Sequence, residues 1–246
     1  MKLSTIFFDL DGTLLPMDQD VFVKAYFKGL AATMAPHGID GPELIDAVWQ
    51  GTRCMVCNDG ECTNEERFWQ YFARRFGRDV PTDIAIFEEY YRTEFQKVAQ
   101  VCGCDPRAAQ TIRALKAMGY RLVLATNPLF PSIATESRIR WAGLDREDFV
   151  LCTTYDDCGY CKPNPAYYRD LLERLGLEAG ECLMVGNDVT EDMVAETLGM
   201  RVFLLTDCLI NKEGRDITRW PHGSFEELMH YVGGEAACAP QGRMNE

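Results

Sequence analysis

The sequence predicts an α/β protein, a doubly wound parallel (Rossmann-like) sheet with an inserted all-helical domain. Three observations predict it. From about Asp105 onward, short apolar runs alternate with helical patterns, as in a parallel sheet with crossover helices. Between about Asp18 and Val98 apolar residues recur at helical spacing with little strand signal. A strand-like run, Leu3 to Phe8, precedes that block, so the helices interrupt the sheet after its first strand. The expected division is an α/β core of residues 1–16 plus 103–246 and a helical cap of residues 17–102.

Each element has its own signal. Val21, Phe22, Ala25, Tyr26 and Leu30 form a first helical stripe. Pro42 suits the first turn of a second helix, ahead of Leu44, Ile45, Val48 and Trp49. Phe68, Trp69, Phe72 and Phe76 mark a third, and Ile84 to Phe95 a fourth. In the core, Pro106 to Met118 reads as a helix closed by Gly119, and Arg121 to Thr126 as a strand. A helix from Pro131 to Trp141, a short strand from Phe149 to Thr153 and a helix from Pro165 to Leu175 follow. Glu181 to Val185 reads as a strand, Glu191 to Leu198 as a helix, Arg201 to Leu205 as a strand and Phe225 to Val232 as the last helix. The tail from Gly233 lacks a periodic pattern and reads as frayed.

The 246 residues allow one large domain or a domain with a second inserted in it, and the 47% hydrophobic content is that of a globular chain. No run approaches a membrane span and no signal peptide is evident, so a cytoplasmic location is expected. The net charge of −13 argues against nucleic-acid and acidic-membrane partners. It leaves room for a small phosphorylated substrate where a local cation overrides the global field.

The chemistry-bearing residues sit at strand ends. Asp9 and Asp11 end the first strand and point to the same side, since side chains of extended chain alternate. Two close carboxylates repel unless a cation or a shared proton stabilises them. Thr126-Asn127 ends the second strand, Lys162-Pro163 lies in a later loop, and Gly186-Asn187-Asp188-Val189-Thr190-Glu191-Asp192 follows Leu183-Met184-Val185. The edge of an open α/β sheet at its strand ends is where ligands bind.

In order and spacing these four segments resemble the haloacid dehalogenase superfamily of phosphatases and phosphotransferases, over essentially the whole chain. The resemblance implies a phosphomonoester hydrolase with Asp9 as nucleophile and Asp11 as general acid and then base. It also implies Thr126, Asn127 and Lys162 as phosphate-binding groups, and Mg²⁺ held by Asp9, Asp11 and the fourth segment. Many relatives carry Asp directly after the Gly of that segment, where this chain has Asn187. Asp188 is the favoured direct ligand, with Asp192 acting behind it, and the pairing of Asn187 with Asp192 is the alternative. A sugar phosphomutase with the same segments, or a silent metal- or phosphate-binding module, are the rival functions. A dehalogenase would need neither Asp11 nor the acidic fourth segment. A phosphonatase would need a cap lysine, for which only Lys24 and Lys28 in the first cap helix offer themselves.

Eleven cysteines, an odd number without a secretion signal, read as reduced thiols rather than a disulfide framework. Cys152, Cys182 and Cys208 read as small buried hydrophobes. Cys54, Cys57 and Cys62, with Cys102 or Cys104, form an incomplete zinc pattern, and Cys158 with Cys161 an incomplete redox pair. Trp49, Arg53 and His37 are the cap residues considered for substrate contact. For each of them a packing or solvated surface role is the stronger reading.

Overall fold

The computed structural model describes residues 2–77 and 80–237. Strands β1 (Thr5–Phe8), β2 (Arg121–Leu124), β3 (Leu151–Cys152), β4 (Cys182–Gly186), β5 (Arg201–Leu205) and β6 (His222–Gly223) form one sheet. Every pairing is parallel and the order is β3-β2-β1-β4-β5-β6. The chain builds outward from β1 to β3 on one side, then returns to place β4 on the other side of β1. That reversal makes the β1/β4 boundary the switch point of the sheet, the place where open α/β sheets take ligands.

Both faces of the sheet are covered, which is why its central strands read as unbroken apolar runs rather than alternating ones. Ile6 and Phe8 pack with α5 (Pro106–Ala117) and α8 (Phe225–Ala237) through Ile112, Leu115, Leu228 and Val232. Phe7 faces the other way, with Tyr167, Tyr168 and Leu171 of α7 (Pro165–Leu175). Helix α6 (Ser132–Trp141) contributes Ile139 to the first of these layers.

Four helices separate β1 from α5: α1 (Gln19–Met34), α2 (Gly41–Val56), α3 (Asn64–Phe76) and α4 (Val80–Arg92). Asp18 caps α1 by accepting from the Val21 N–H, and Asp40 caps α2 with Pro42 in its first turn. Thr63 and Glu66 form a reciprocal capping box on α3, and Gly77 ends it in the left-handed conformation. The helices share an aromatic cluster with Phe22, Tyr26, Phe72, Tyr90 and, just after α4, Phe95 buried, and Ala134, Tyr155 and Cys161 from outside the insert join it. The chain enters and leaves this insert side by side: Met17 and Cys102 pair as an antiparallel bridge, and the Gly103 N–H donates to the Pro16 carbonyl at 2.7 Å.

A further attachment lies at the start of α3. The buried Asn64 at the start of α3 donates its amide N–H groups to the Pro128 carbonyl at 3.1 Å and the Cys161 sulfur at 3.3 Å. Its side-chain oxygen accepts from Asn58 Nδ2 at 2.9 Å. The backbone N–H groups of Asn64 and Glu65 donate to the carbonyls of Cys158 and Tyr155. Replacing Asn64 by Ala strands these buried partners. Thermal or urea unfolding should show a loss of about 1–3 kcal/mol; an unchanged midpoint would mean the amide contributes nothing to the junction.

Several sequence expectations need correction. Val21 is exposed, since α1 turns it to the solvent side of the stripe. In place of the helix expected over 191–198, Glu191 and Asp192 lie in a turn and Met193–Leu198 form a 3₁₀ segment. Helix α8 runs to Ala237, beyond the expected end at Val232. The two glycines cost about 1 kcal/mol each in a helix interior, and the Glu235-Ala236-Ala237 that follows is a good helix former. The remainder of the tail expected to fray, residues 238–246, lies outside the described residues. Strand β6 gave no signal because it has only two residues. No helix among the described residues is long and apolar enough to cross a membrane.

Candidate active site

Sheet register brings the strand-end segments to one level. Phe8 pairs with Leu124 on one side and Val185 on the other, so Asp9, Ala125 and Gly186 follow in line. The Asp9 N–H donates to the Val185 carbonyl at 2.9 Å, and the Ala125 N–H to the Phe8 carbonyl at 2.7 Å. After Asp9 the chain turns tightly. The N–H of Leu15 returns to the Leu10 carbonyl at 2.9 Å, and Gly12 sits at φ +83°. A Cβ at Gly12 would lie 2.3 Å from the Asn187 amide nitrogen, so only glycine admits this close approach. Gly186 is similarly constrained, with Asp192 Oδ2 at 2.1 Å from where a Cβ would stand.

The Asp9 carboxylate is held from both sides. Lys162 Nζ reaches Asp9 Oδ1 at 2.9 Å and Asp192 Oδ1 at 2.7 Å. The Thr13 hydroxyl lies 3.1 Å from Asp9 Oδ2 and 3.0 Å from Asn187 Oδ1, shared between the two acceptors. Lys162 is fully buried. Burial alone would push its ammonium down, but Asp192 and Asp9 together hold it well above the ordinary lysine range. Asp192 has its other oxygen occupied by the Asp188 N–H at 2.9 Å. Burial raises its carboxyl to about 6, with Lys162 opposing.

Asp11 has a partner that the sequence reading missed. Arg138 of α6, with no solvent exposure, places its Nη1 on Asp11 Oδ2. The guanidinium lies 4.4 Å from the centre of the Phe130 ring and also donates to the Thr135 hydroxyl at 3.2 Å. The other Asp11 oxygen, Oδ1, is buried without a hydrogen-bond partner. Burial lifts the Asp11 carboxyl above the ordinary aspartate range, and Asp9 adds to the rise that Arg138 opposes.

Thr126 and Asn127 sit opposite. The Thr126 carbonyl accepts from the Thr153 hydroxyl at 2.7 Å and the Tyr167 hydroxyl at 2.8 Å, which fixes the strand end. Among the described hydrogen bonds, the Thr126 hydroxyl and the Asn127 N–H have no partner within the protein. The Asn127 side chain accepts from the Lys162 N–H at 3.2 Å and donates to Glu191 Oε2 at 3.0 Å. Burial raises the Glu191 carboxyl to about 7, with Asp192, Asp188 and Asp9 adding to it against Lys162.

Asp9, Asp11, Thr126, Asn127, Asn187, Asp188 and Asp192 all line one cavity of about 250 Å³. The structure therefore brings together the residues singled out at the strand ends, with Lys162 beneath Asp9. Asn187 and Asp188 differ in what they touch. Asn187 shares Thr13 with Asp9, and its Nδ2 donates to the Cys208 carbonyl at 2.7 Å. Asp188 Oδ1 instead caps the next turn, accepting from the Thr190 and Glu191 N–H groups at 2.7 and 2.9 Å.

Oxygen donors without imidazole or thiolate suit a hard cation such as Mg²⁺. The unpartnered Asp11 oxygen is a further sign that a positive group belongs there. No three His, Cys, Asp or Glu side chains among the described residues are grouped as a metal site, so Asp9, Asp11 and Asp188 are not a preformed triad. Cys54, Cys57 and Cys62 likewise form no zinc cluster, and the described cysteines are free thiols. Cys152 and Cys182 are buried, whereas Cys208 is only half-buried. Burial pushes the Cys158 thiol up to about 12 and Cys161 higher still, which makes them poor thiolate nucleophiles. Of the cap candidates, Trp49 lines the cavity, while His37 and Arg53 are exposed outside it, as are Lys24 and Lys28.

The model of the haloacid dehalogenase-like hydrolases matches residues 3–195. The chain belongs to that family. It is 27% identical over 226 residues to a glyceraldehyde 3-phosphate phosphatase of Methanothermobacter thermautotrophicus, a match covering 88% of this chain and 94% of the relative. A haloacid dehalogenase-like phosphatase from Thermococcus onnurineus superposes with a TM-score of 0.59 at 21% identity, covering 94% of this chain and 99% of that one. The hydrolase YfnB from Bacillus subtilis, solved bound to magnesium, superposes with a TM-score of 0.55 at 19% identity over 94% of this chain and 99% of its own. This haloacid dehalogenase-like hydrolase thus shares its fold with both solved enzymes.

Two further site residues complete the arrangement. Thr13 stands inside the Asp9-to-Thr13 segment and was within reach of the sequence. Arg138 is buried on α6 with Ala134, Thr135 and Ile139, but that helix has no distinct apolar face in its sequence to mark the inward side.

Proposed function

We propose that this hydrolase is a Mg²⁺-dependent phosphatase of small phosphomonoesters that works through a phosphoryl group carried on Asp9. Residues 17–102 act as the cap and residues 1–16 with 103–246 as the catalytic core. The observation that carries the reading is the pair Asp9 and Asp11 opening on one cavity, each fixed by a buried cation, Lys162 and Arg138. A carboxylate so steered presents an oxygen for in-line attack on phosphorus, and the bond to the leaving oxygen breaks. Asp11 gives that oxygen its proton. It then takes a proton from the water that attacks the phosphoenzyme, returning Asp9 free and releasing inorganic phosphate. The Thr126 hydroxyl and the Asn127 N–H bind phosphoryl oxygens, Lys162 neutralises charge beside Asp9, and Asp192 keeps Lys162 in place. Mg²⁺, when bound by Asp9, Asp11 and the Asn187–Asp188 segment, supplies further neutralisation of the phosphoryl charge.

Within that segment the Thr13 bridge from Asp9 favours Asn187 over Asp188 as the ligand, through its amide oxygen. Asn187→Ala should then raise the half-saturating Mg²⁺ concentration about 10- to 100-fold. Asp188→Ala should act mainly as the loss of a turn cap, at about 1 kcal/mol of stability. The reverse order would restore Asp188 as the ligand. The function itself is tested by phosphate release from p-nitrophenyl phosphate with Mg²⁺ and after chelation. Release that chelation abolishes is expected, and absence of release with Mg²⁺ would count against the phosphatase reading.

A further inference from the structure

The geometry points to a phosphomonoester with an uncharged, apolar, ring-sized alcohol portion as the substrate class. This rests on the phosphatase reading and deepens it. The cavity that begins at Asp9 and Asp11 continues into the helical insert. There its wall carries aromatic side chains from all four helices, among them Phe22 and Tyr26 of α1, Trp49 of α2, Trp69 of α3 and Tyr91 of α4.

Deep in the cavity the polar groups on that wall are already committed, whereas at its exposed end Gln19 and the Trp49 indole N–H have no partner among the described hydrogen bonds. The Tyr26 and Tyr91 hydroxyls bond at 3.0 Å, Trp69 Nε1 donates to the Tyr155 hydroxyl at 3.4 Å, and the Thr52 hydroxyl donates to the Val48 carbonyl at 2.8 Å. A polyol entering here would lose its water partners and find few replacements. A second anionic group would fare worse. Among the described residues lining the cavity, the basic ones amount to Lys212, which is exposed, against Asp9, Asp11, Asp188, Glu191 and Asp192. Lys162 and Arg138 are spent on Asp9, Asp192 and Asp11. An apolar ring, in contrast, gains from the edge-and-face contacts that an aromatic wall offers.

The test compares 2-phenylethyl phosphate with glycerol 1-phosphate and phosphoglycolate, esters of ordinary alcohols that differ in the polarity of the alcohol portion. Burying a phenyl group predicts a kcat/KM about 10- to 100-fold higher for the phenylethyl ester. Trp49 is half exposed and packs on Phe27 at 5.5 Å, so Trp49→Ala should fold. It should narrow that ratio by about fivefold or more. Equal or higher kcat/KM for either polar ester, with phosphate released, overturns the substrate class and leaves the phosphatase reading standing. If no ester is hydrolysed, p-nitrophenyl phosphate included, the phosphatase reading fails. Calorimetric titration with 2-phenylethanol then decides the pocket alone: binding weakened by Trp49→Ala upholds the apolar site, and no binding removes it.

Discussion

Asp9→Asn should cut phosphate release by about 10⁴-fold or more, the scale seen when a covalent nucleophile is removed. The fold should survive. An Asn oxygen can still accept from Lys162, its amide N–H can face the Thr13 hydroxyl, which keeps Asn187 as an acceptor, and Asp192 remains to pair with Lys162 at 2.7 Å. The melting temperature should therefore move little. A rapidly quenched sample of the wild type should carry a covalent phosphoryl group that the variant lacks. Appreciable turnover in a folded Asp9→Asn protein would remove Asp9 from the nucleophile's role.

Arg138→Leu should destabilise the protein by about 3–5 kcal/mol, because removing one partner of a buried pair leaves an uncompensated charge. Asp11 already has one oxygen without a partner, so it has no spare contact to fall back on. Adding Asp11→Asn in the same chain should recover a large part of the loss without recovering activity. Urea unfolding of the wild type, both single variants and the double variant gives the coupling directly. If the double variant is as unstable as Arg138→Leu alone, Arg138 acts through its packing on Phe130 and not through its charge.

The two predictions differ in how far the sequence foreshadows them. Asp9 announces itself because it ends an apolar run that helices bury on both faces of the sheet, so the strand and its end are legible together. The other strand-end segments are legible for the same reason, and parallel register then makes them neighbours without further information. Arg138 lies mid-helix beside the exposed Arg140, and only the tertiary position of α6 turns it toward Asp11. Strand β3 lies inside the run read from Phe149 to Thr153, whereas β6 has two residues, too few for any period to show. In the insert, Trp49 and Thr52 face the cavity while Arg53 faces solvent. One residue turns an α-helix by about 100°, so a list of polar residues from the sequence cannot select among them without knowing which stripe is inward. Asn187 and Asp188 differ in the same way, since adjacent side chains diverge: one meets Thr13 and the other caps the next turn.

The anchorage of Asn64 has a mechanical consequence. An insert tied to its core at one pair of crossing strands is free to swing, and its cavity can open by bending two short peptides. Here the start of α3 is also fastened, through Asn64, to Pro128 and to Cys161, the residue before Lys162. Any swing of the insert must therefore unfasten buried amide contacts at about 1 kcal/mol each, and the strain of such a motion falls on the backbone next to the lysine that pairs with Asp9. The junction of insert and core and the charge balance at Asp9 share a fastening.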